Sequence, residues 1–363
     1  MQYFSGYFYL HCHVNIRKTF DEKLIGLLPA TTPHPWGYTF EQLQHNDLRG
    51  QSALVTGANS GIGFEIARSL STLGASVTLA CRNPQRCFEA VDRIRKADDY
   101  SGAPLQPIIM DVSSLRSVQA GAMNYIKHNP PHKPLDMLFL NAGVFAEEFE
   151  RGATKLPTSK DGIELVFATN VVGHHLLYRL LEPALKLSKM ARVVQTSSIA
   201  SIIWSPKNKL EPLIPSTLEE LNEGMPSNKI RFSLYGRSKL GQVVWSKALT
   251  RRLGDQSSIY ANAATPGAAQ SEMTLNKHVQ ALPKMMKDAY VTVASQVMWS
   301  SLEGALTELY LAVATDELKS KNIRGKYYHP QATEIDHPYA NDEVLQDNVW
   351  NLCEVLVKDF LHE

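Results

Sequence analysis

From Gly50 onward the chain alternates short apolar runs with longer stretches of helical period, and this rhythm constrains the fold more than any other feature. The runs are 53–55, 77–80, 105–110, 135–140, 192–196 and 259–264. Helices are expected over 62–73, from Pro84, over 114–127, from about 162 to 186 and over 235–253. Strands that are apolar on both faces suit a sheet buried between two helical layers, and strict alternation with helices gives parallel β-α-β units. The expected architecture is therefore a doubly wound, Rossmann-like parallel α/β sheet with helices on both faces. Residues 325–328 are expected to add a last strand, with helices over 302–314 and 344–361.

Two stretches break the rhythm. Residues 201–232 carry Pro206, Pro212, Pro215 and Pro226 and read as a surface insertion. The segment up to about 297 is rich in methionine (Met273, Met285, Met286, Met298) and reads either as a lid over an apolar pocket or as ordinary surface helix. Ahead of the alternation, residues 1–45 form an appendage and linker in which Pro29, Pro33 and Pro35 oppose helix. Residues 46–363 then form one main domain.

Composition excludes several function classes. With 44% hydrophobic and 20% charged residues among 363, the chain has a core to build. Lys+Arg 37 against Asp+Glu 36 supplies no basic field for nucleic acid. Cys12, Cys81, Cys87 and Cys353 form no Cys-x-x-Cys pair, which suits a reducing compartment. No apolar run reaches the length of a transmembrane span, and the start lacks a secretory signal, so a cytoplasmic protein is expected, with peripheral membrane contact left open. His11-x-His13 and His174-His175 lack a third ligand at sensible spacing, and no metal is expected.

Between the first strand and its helix lies Thr56-Gly57-Ala58-Asn59-Ser60-Gly61-Ile62-Gly63. Glycines at such a turn let a pyrophosphate approach the backbone and set the helix dipole against the anion, so a dinucleotide is the expected ligand. Cys81-Arg82-Asn83 follows the second strand, where a carboxylate would select NAD. The arginine in its place can fork onto a 2′-phosphate, which favours NADP(H) over NAD(H). Asp111, followed by Val112, is placed either to bond adenine or to cap the next helix. Asn141-Ala142-Gly143 ends the fourth strand with small residues that leave room for the cofactor.

Among 14 tyrosines only Tyr235 has a lysine four positions on, Lys239. Four helical residues turn by about 400°, so both side chains share a face about 6 Å apart along the axis. An ammonium at about 6 Å in an effective dielectric of about 20 contributes roughly 2.8 kcal/mol, about two pKa units, which would bring a phenol into range as an acid/base near neutrality.

The ordered set of Thr56 to Gly63, Asn141-Ala142-Gly143, Asn170, Thr196-Ser197-Ser198, Tyr235-x-x-x-Lys239 and Pro266-Gly267 resembles the short-chain dehydrogenases/reductases over about residues 48–328. The 37 residues between Ser198 and Tyr235 (235 − 198), with the phrases Ala80-Cys81-Arg82-Asn83 and Asn170-Val171-Val172-Gly173-His174, are similar to the branch of retinol dehydrogenases and WW-domain-containing oxidoreductases. Tyr7-Phe8, His13-Val14-Asn15 and Lys18-Thr19-Phe20 resemble the later strands of a WW module that lacks its first tryptophan.

The resemblance implies hydride exchange between a nicotinamide and a small-molecule alcohol or carbonyl. It makes Tyr235 the proton donor or acceptor and Lys239 also a ribose ligand. Ser198 would hold the substrate oxygen, with Ser197 as the alternative, and Asn170 would support a proton relay. Pro266-Gly267 and Ser271 would hold the nicotinamide amide, with Thr265 where relatives often carry His. Ile202, Ile203, Trp204 and Met273 suggest an apolar, steroid-, retinoid- or aldehyde-like substrate. The family also implies a homodimer through the long helices, here 162–186 and the one bearing Tyr235. The rival reading is a nucleotide-binding adaptor with little turnover.

Overall fold

The computed structural model describes residues 30–32, 37–129, 131–145, 156–203, 213–223, 230–269 and 298–361. Nine strands form one sheet: β1 (Ala30–Thr32), β2 (Ser52–Thr56), β3 (Ser76–Cys81), β4 (Leu105–Ile109), β5 (Met137–Leu140), β6 (Ala191–Thr196), β7 (Ile259–Ala264), β8 (Tyr327–His329) and β9 (Thr333–Ile335). The spatial order is β1-β9-β8-β7-β6-β5-β2-β3-β4, parallel from β4 to β8, with β9 and β1 added antiparallel. The chain runs outward from β2 to β4 and then restarts on β2's other side with β5. That reversal opens a crevice beyond the carboxyl ends of β2 and β5, where ligands of such sheets bind.

The helices are α1 (Phe40–Gln44), α2 (Gly61–Thr72), α3 (Pro84–Arg95), α4 (Leu115–His128), α5 (Leu165–Phe167), α6 (Gly173–Lys186), α7 (Ala200–Ile203), α8 (Leu218–Asn222), α9 (Ile230–Leu253), α10 (Ser301–Val313), α11 (Thr315–Ser320) and α12 (Glu343–Val357). Side chains alternate across the strands, so each strand feeds two cores. Leu54, Leu138, Leu140 and Val193 pack under α4, α6, α9 and α12. Val55, Leu79, Phe139 and Val194 pack under α2, α3 and α10. The doubly wound sheet and its single main domain are as the apolar rhythm prescribes.

Local differences have physical causes. Gly162 stands in a turn at φ +75°, and the expected helix from there starts only at Leu165, where the Glu164 carboxylate accepts from the N–H groups of Val166 and Phe167. Between α5 and α6 the backbone widens into a π-helical turn, Ala168–Val172, in which the Gly173 N–H donates to the Ala168 carbonyl. The proline-rich insertion is not all surface, because Ile214 and Leu221 are fully buried in the core. Gly325 is a turn at φ +62°, so the last parallel strand begins at Tyr327, two residues later than expected. The linker joins the domain through β1, α1 and the buried Tyr38 and Leu43. The WW-like residues 1–20 and the lid segment 270–297 lie outside the described residues.

Helix α12 lies on α9 and α6, the helices through which pairing was expected. Trp350 stacks on Trp245 at 6.1 Å and meets His175 edge-on at 4.9 Å. Glu354 takes hydrogen bonds from His175 and Arg179. Among the described residues, no helix is long and apolar enough to cross a membrane.

Candidate active site

The glycine turn folds as its composition requires. Gly57 and Gly61 adopt φ +68° and +57°, values that favour glycine. A Cβ on Gly63 would stand 2.5 Å from the Gly57 carbonyl and 2.4 Å from Asn141 Nδ2, so only glycine lets α2 start this close to the sheet. Ser60 is the N-cap of α2 but its side chain makes no capping bond, and Asn59 Nδ2 donates weakly to Ser60 Oγ at 3.4 Å. The first-turn N–H groups of α2, beside the half-buried Ile62, thus face the crevice, a cradle suited to a pyrophosphate.

Asn141, Ala142 and Gly143 are held by one side chain that sequence reasoning did not single out, Thr56. The N–H groups of Asn141 and Ala142 donate to Thr56 Oγ1 at 2.9 and 3.0 Å, and Asn141 Nδ2 donates to the Thr56 carbonyl at 2.8 Å. The Thr56 hydroxyl proton lies between the Phe139 carbonyl at 3.2 Å and His174 Nε2 at 3.0 Å. Because the Asn170 carbonyl, 3.1 Å from His174 Nδ1, can only accept, the neutral imidazole carries its proton on Nδ1. Burial holds His174 neutral, its pKa pushed down to about 3. His174 is therefore a structural link between the end of β2, where the glycine turn begins, and the π-helical turn.

Asn170, fully buried on that turn, accepts from the Val144 N–H at 2.8 Å and donates to Ser238 Oγ at 2.8 Å. A Cβ on Gly143 would lie 3.2 Å from Asn170 Oδ1 and 3.6 Å from Lys239 Nζ. The end of β5, the π-helical turn and α9 therefore converge on one spot. Gly173 likewise has no room for a side chain, since a Cβ would come 2.0 Å from the Val112 carbonyl.

Tyr235 and Lys239 share a face of α9, with Nζ 5.4 Å from the phenol ring centre. Lys239 Nζ donates to the Thr196 carbonyl at the end of β6, at 2.8 Å. Ser197 is buried and donates to the Lys239 carbonyl at 2.8 Å. Ser198 is the serine that bonds the Tyr235 side chain. Phe145 flanks the phenol, ring centres 5.0 Å apart.

The electrostatics differ from the expectation. Burial pushes Tyr235 up to about 12, opposed only by the Ser198 hydrogen bond, and pushes Lys239 down to about 7. A lysine drawn toward neutrality exerts little field on its neighbour, so the spacing is as expected but desolvation outweighs the cation.

At the crevice's other end, Arg82 is exposed beyond β3 with no side-chain partner among the described residues, directly before Asn83, whose side-chain Oδ1 caps α3 by accepting from the Arg86 N–H. Asp111 does not cap α4. It accepts from the N–H and hydroxyl of Ser113, while Asp161 takes the Leu115 N–H at 3.0 Å. Gly267, after Pro266 and at φ +69°, is pressed between Pro330 and Trp299, where a Cβ would stand 2.6 and 3.0 Å from their nearest atoms.

Comparison with known proteins gives this arrangement a family. The short chain dehydrogenase model matches residues 51–209. Retinol dehydrogenase 14 of Mus musculus is 31% identical over 318 residues, covering 85% of this chain and 86% of its own length. The WW domain-containing oxidoreductase of Gallus gallus is 33% identical over 324 residues, covering 88% of this chain and 71% of its own length. Among solved structures, the L-sorbose reductase of Gluconobacter frateurii, complexed with NADPH and L-sorbose, matches with a TM-score of 0.58 at 19% identity, covering 81% of this chain and 98% of that one. With a buried Tyr-Lys pair and a glycine cradle at the two ends of one crevice, the chain belongs to the short-chain dehydrogenase family of nicotinamide-dependent oxidoreductases.

Proposed function

We propose that the protein is an NADP(H)-dependent oxidoreductase that interconverts an apolar alcohol and its carbonyl, with Tyr235 moving the proton. The observation that carries this reading is the convergence of Asn170, Ser198, Tyr235 and Lys239 beside Gly143 at the carboxyl edge of the sheet. The glycine turn, Asn141-Ala142-Gly143, Asp111-Val112 and Pro266-Gly267 would line the dinucleotide, and Arg82 would pair with a 2′-phosphate. A bound nicotinamide supplies the hydride chemistry. The chain's own part is to place and protonate the substrate oxygen.

In carbonyl reduction the Tyr235 hydroxyl, which holds its proton at neutral pH, donates it to the developing alkoxide, while Ser198 donates a second hydrogen bond to that oxygen. In oxidation the proton returns to the phenolate. Lys239 and Asn170 sit behind the phenol, where a relay can refill it. Phe145, Val144, Val166 and Ala200, packed around Tyr235, support an apolar substrate, and a relative named for retinol supports the same class.

Replacing Tyr235 by Phe should lower turnover of aldehydes and ketones by at least about 10²-fold while leaving NADPH binding, read by nucleotide fluorescence, unchanged. Undiminished turnover would overturn the assignment.

A further inference from the structure

Glu308 has no place in the chemistry described so far, yet it is fully buried and, among the described residues, neither carboxylate oxygen has a hydrogen-bond partner in another residue. A buried carboxyl left unpaired is costly, and residues of the kind seldom persist without a use. Its position follows from the helix that carries it. Gly304, Glu308 and Ala312 are four residues apart on α10 and share a face. Gly304 abuts Pro266 and Ala269 just beyond β7, and the Ala312 carbonyl accepts from Arg192 at the start of β6. Glu308 therefore faces the sheet between these points, towards its carboxyl edge.

The residue that joins the two sides of the sheet there is Thr196. Its carbonyl holds Lys239 Nζ, and its hydroxyl is a second buried group without a partner. Side chains alternate along β6, and Val194 packs in the α10 layer, so Thr196 points the same way. Lys239 reaches this edge from α9, whose apolar side packs in the opposite layer. Lys239 is itself fully buried, and no carboxylate among the described residues lies within ion-pair distance of it.

We propose that Glu308 is a positioning residue, a counter-charge across the sheet that raises the share of Lys239 held as ammonium. Burial pushes Glu308 up to about 8 and Lys239 down to about 7 even though each is drawn back by the other's charge. The pair exchanges one proton between an ion pair and a neutral pair, so neither group titrates alone.

Other charged groups near these helices are engaged elsewhere. On the α10 side, Glu65 and Arg68 of α2 pair with each other and Arg68 with Asp99, Arg192 of β6 bonds Ala312, and Tyr260 of β7 lies under Arg324. Glu41 of α1 and Asp316 and Lys319 of α11 are exposed, and Glu317 pairs with Lys321. On the α9 side, Glu343 and Asp347 of α12 pair with Arg251, Glu354 pairs with His175 and Arg179, and Glu164 accepts from backbone N–H groups near Arg237. His174, Tyr235, Tyr327 and His329 are held uncharged at neutral pH by burial.

The inference rests on the proposed role of Lys239, and its test reads that lysine directly. In full-length protein labelled with 13C at the lysine ε-carbon, the Lys239 signal is identified by its loss in Lys239→Met and titrated by NMR. Glu308→Gln, which keeps the shape and removes the charge, should lower the Lys239 midpoint by at least about one pH unit, and Glu308→Asp should restore most of it. Where turnover is followed alongside, Glu308→Gln should move the rise of alcohol oxidation to higher pH. Because Glu308→Gln leaves a buried lysine without its partner, some loss of stability is expected, and folding of both variants is checked by circular dichroism before titration. A Lys239 midpoint unchanged in Glu308→Gln overturns the proposal. A shifted midpoint together with a fully active Tyr235→Phe protein would overturn the catalytic reading and leave the pairing standing.

Discussion

At the scale of single residues, the site is a set of buried polar groups whose partners decide their use. Ser197 and Ser198 are neighbours in sequence with opposite settings: one braces the α9 backbone and the other bonds the phenol. Ser198→Ala should therefore lower kcat at least tenfold with little change in melting temperature. Ser197→Ala should cost about 1 kcal/mol of stability in denaturant titration. With Tyr235 raised to about 12, the free enzyme holds the phenol proton through the neutral range. Alcohol oxidation should thus climb with pH through the alkaline range while carbonyl reduction stays level below about pH 8, as pH profiles of kcat/KM in both directions would show. The tyrosine, lysine and serines are legible from spacing and resemblance. Thr56 and Glu308 are not, because a threonine in a strand and a glutamate in a helix look ordinary until the groups facing them are known.

At the scale of elements, the apolar runs locate seven of the strands to within a residue or two, because burial on both faces leaves only apolar side chains there. Three-residue β1 and β9 carry no such signal, being too short to show alternation. The π-helical turn is equally silent in sequence; it ends at Gly173, which packs directly on the Val112 carbonyl. Gly173→Ala should accordingly destabilise the fold by several kcal/mol, seen as a large drop in melting temperature, because the obstacle is backbone. Helix α12 offers a contrast between apolar and ionic contacts. Trp350→Ala should cost about 3–5 kcal/mol by emptying the stack on Trp245, whereas Glu343→Ala, which removes an exposed partner of Arg251, should change stability by less than about 1 kcal/mol.

At the scale of the whole molecule, α12 packs on α6 and α9, the helices through which a homodimer was expected, through Trp350 on Trp245 and His175 and through Glu354 on His175. The C-terminal amphipathic pattern predicts a helix but not which face of the molecule it covers. Stability should also depend on pH through histidines that burial keeps neutral. His174 and His329, each lowered to about 3 by burial, bind protons in the unfolded chain below about pH 6.5 but not in the folded one. Their contribution is lost as pH falls from 6.5 towards 3, and His329→Leu should flatten the decline of melting temperature over that interval. The outer strands have a consequence for solubility. β4, at one rim, contains Pro107, and β1, at the other, is flanked by Pro29 and Pro33. Proline offers no N–H for a neighbouring chain to grip, so both margins resist growth into fibrils by strand addition. Pro107→Val should turn the β4 rim into a template, and light scattering at elevated concentration would register the aggregation that follows.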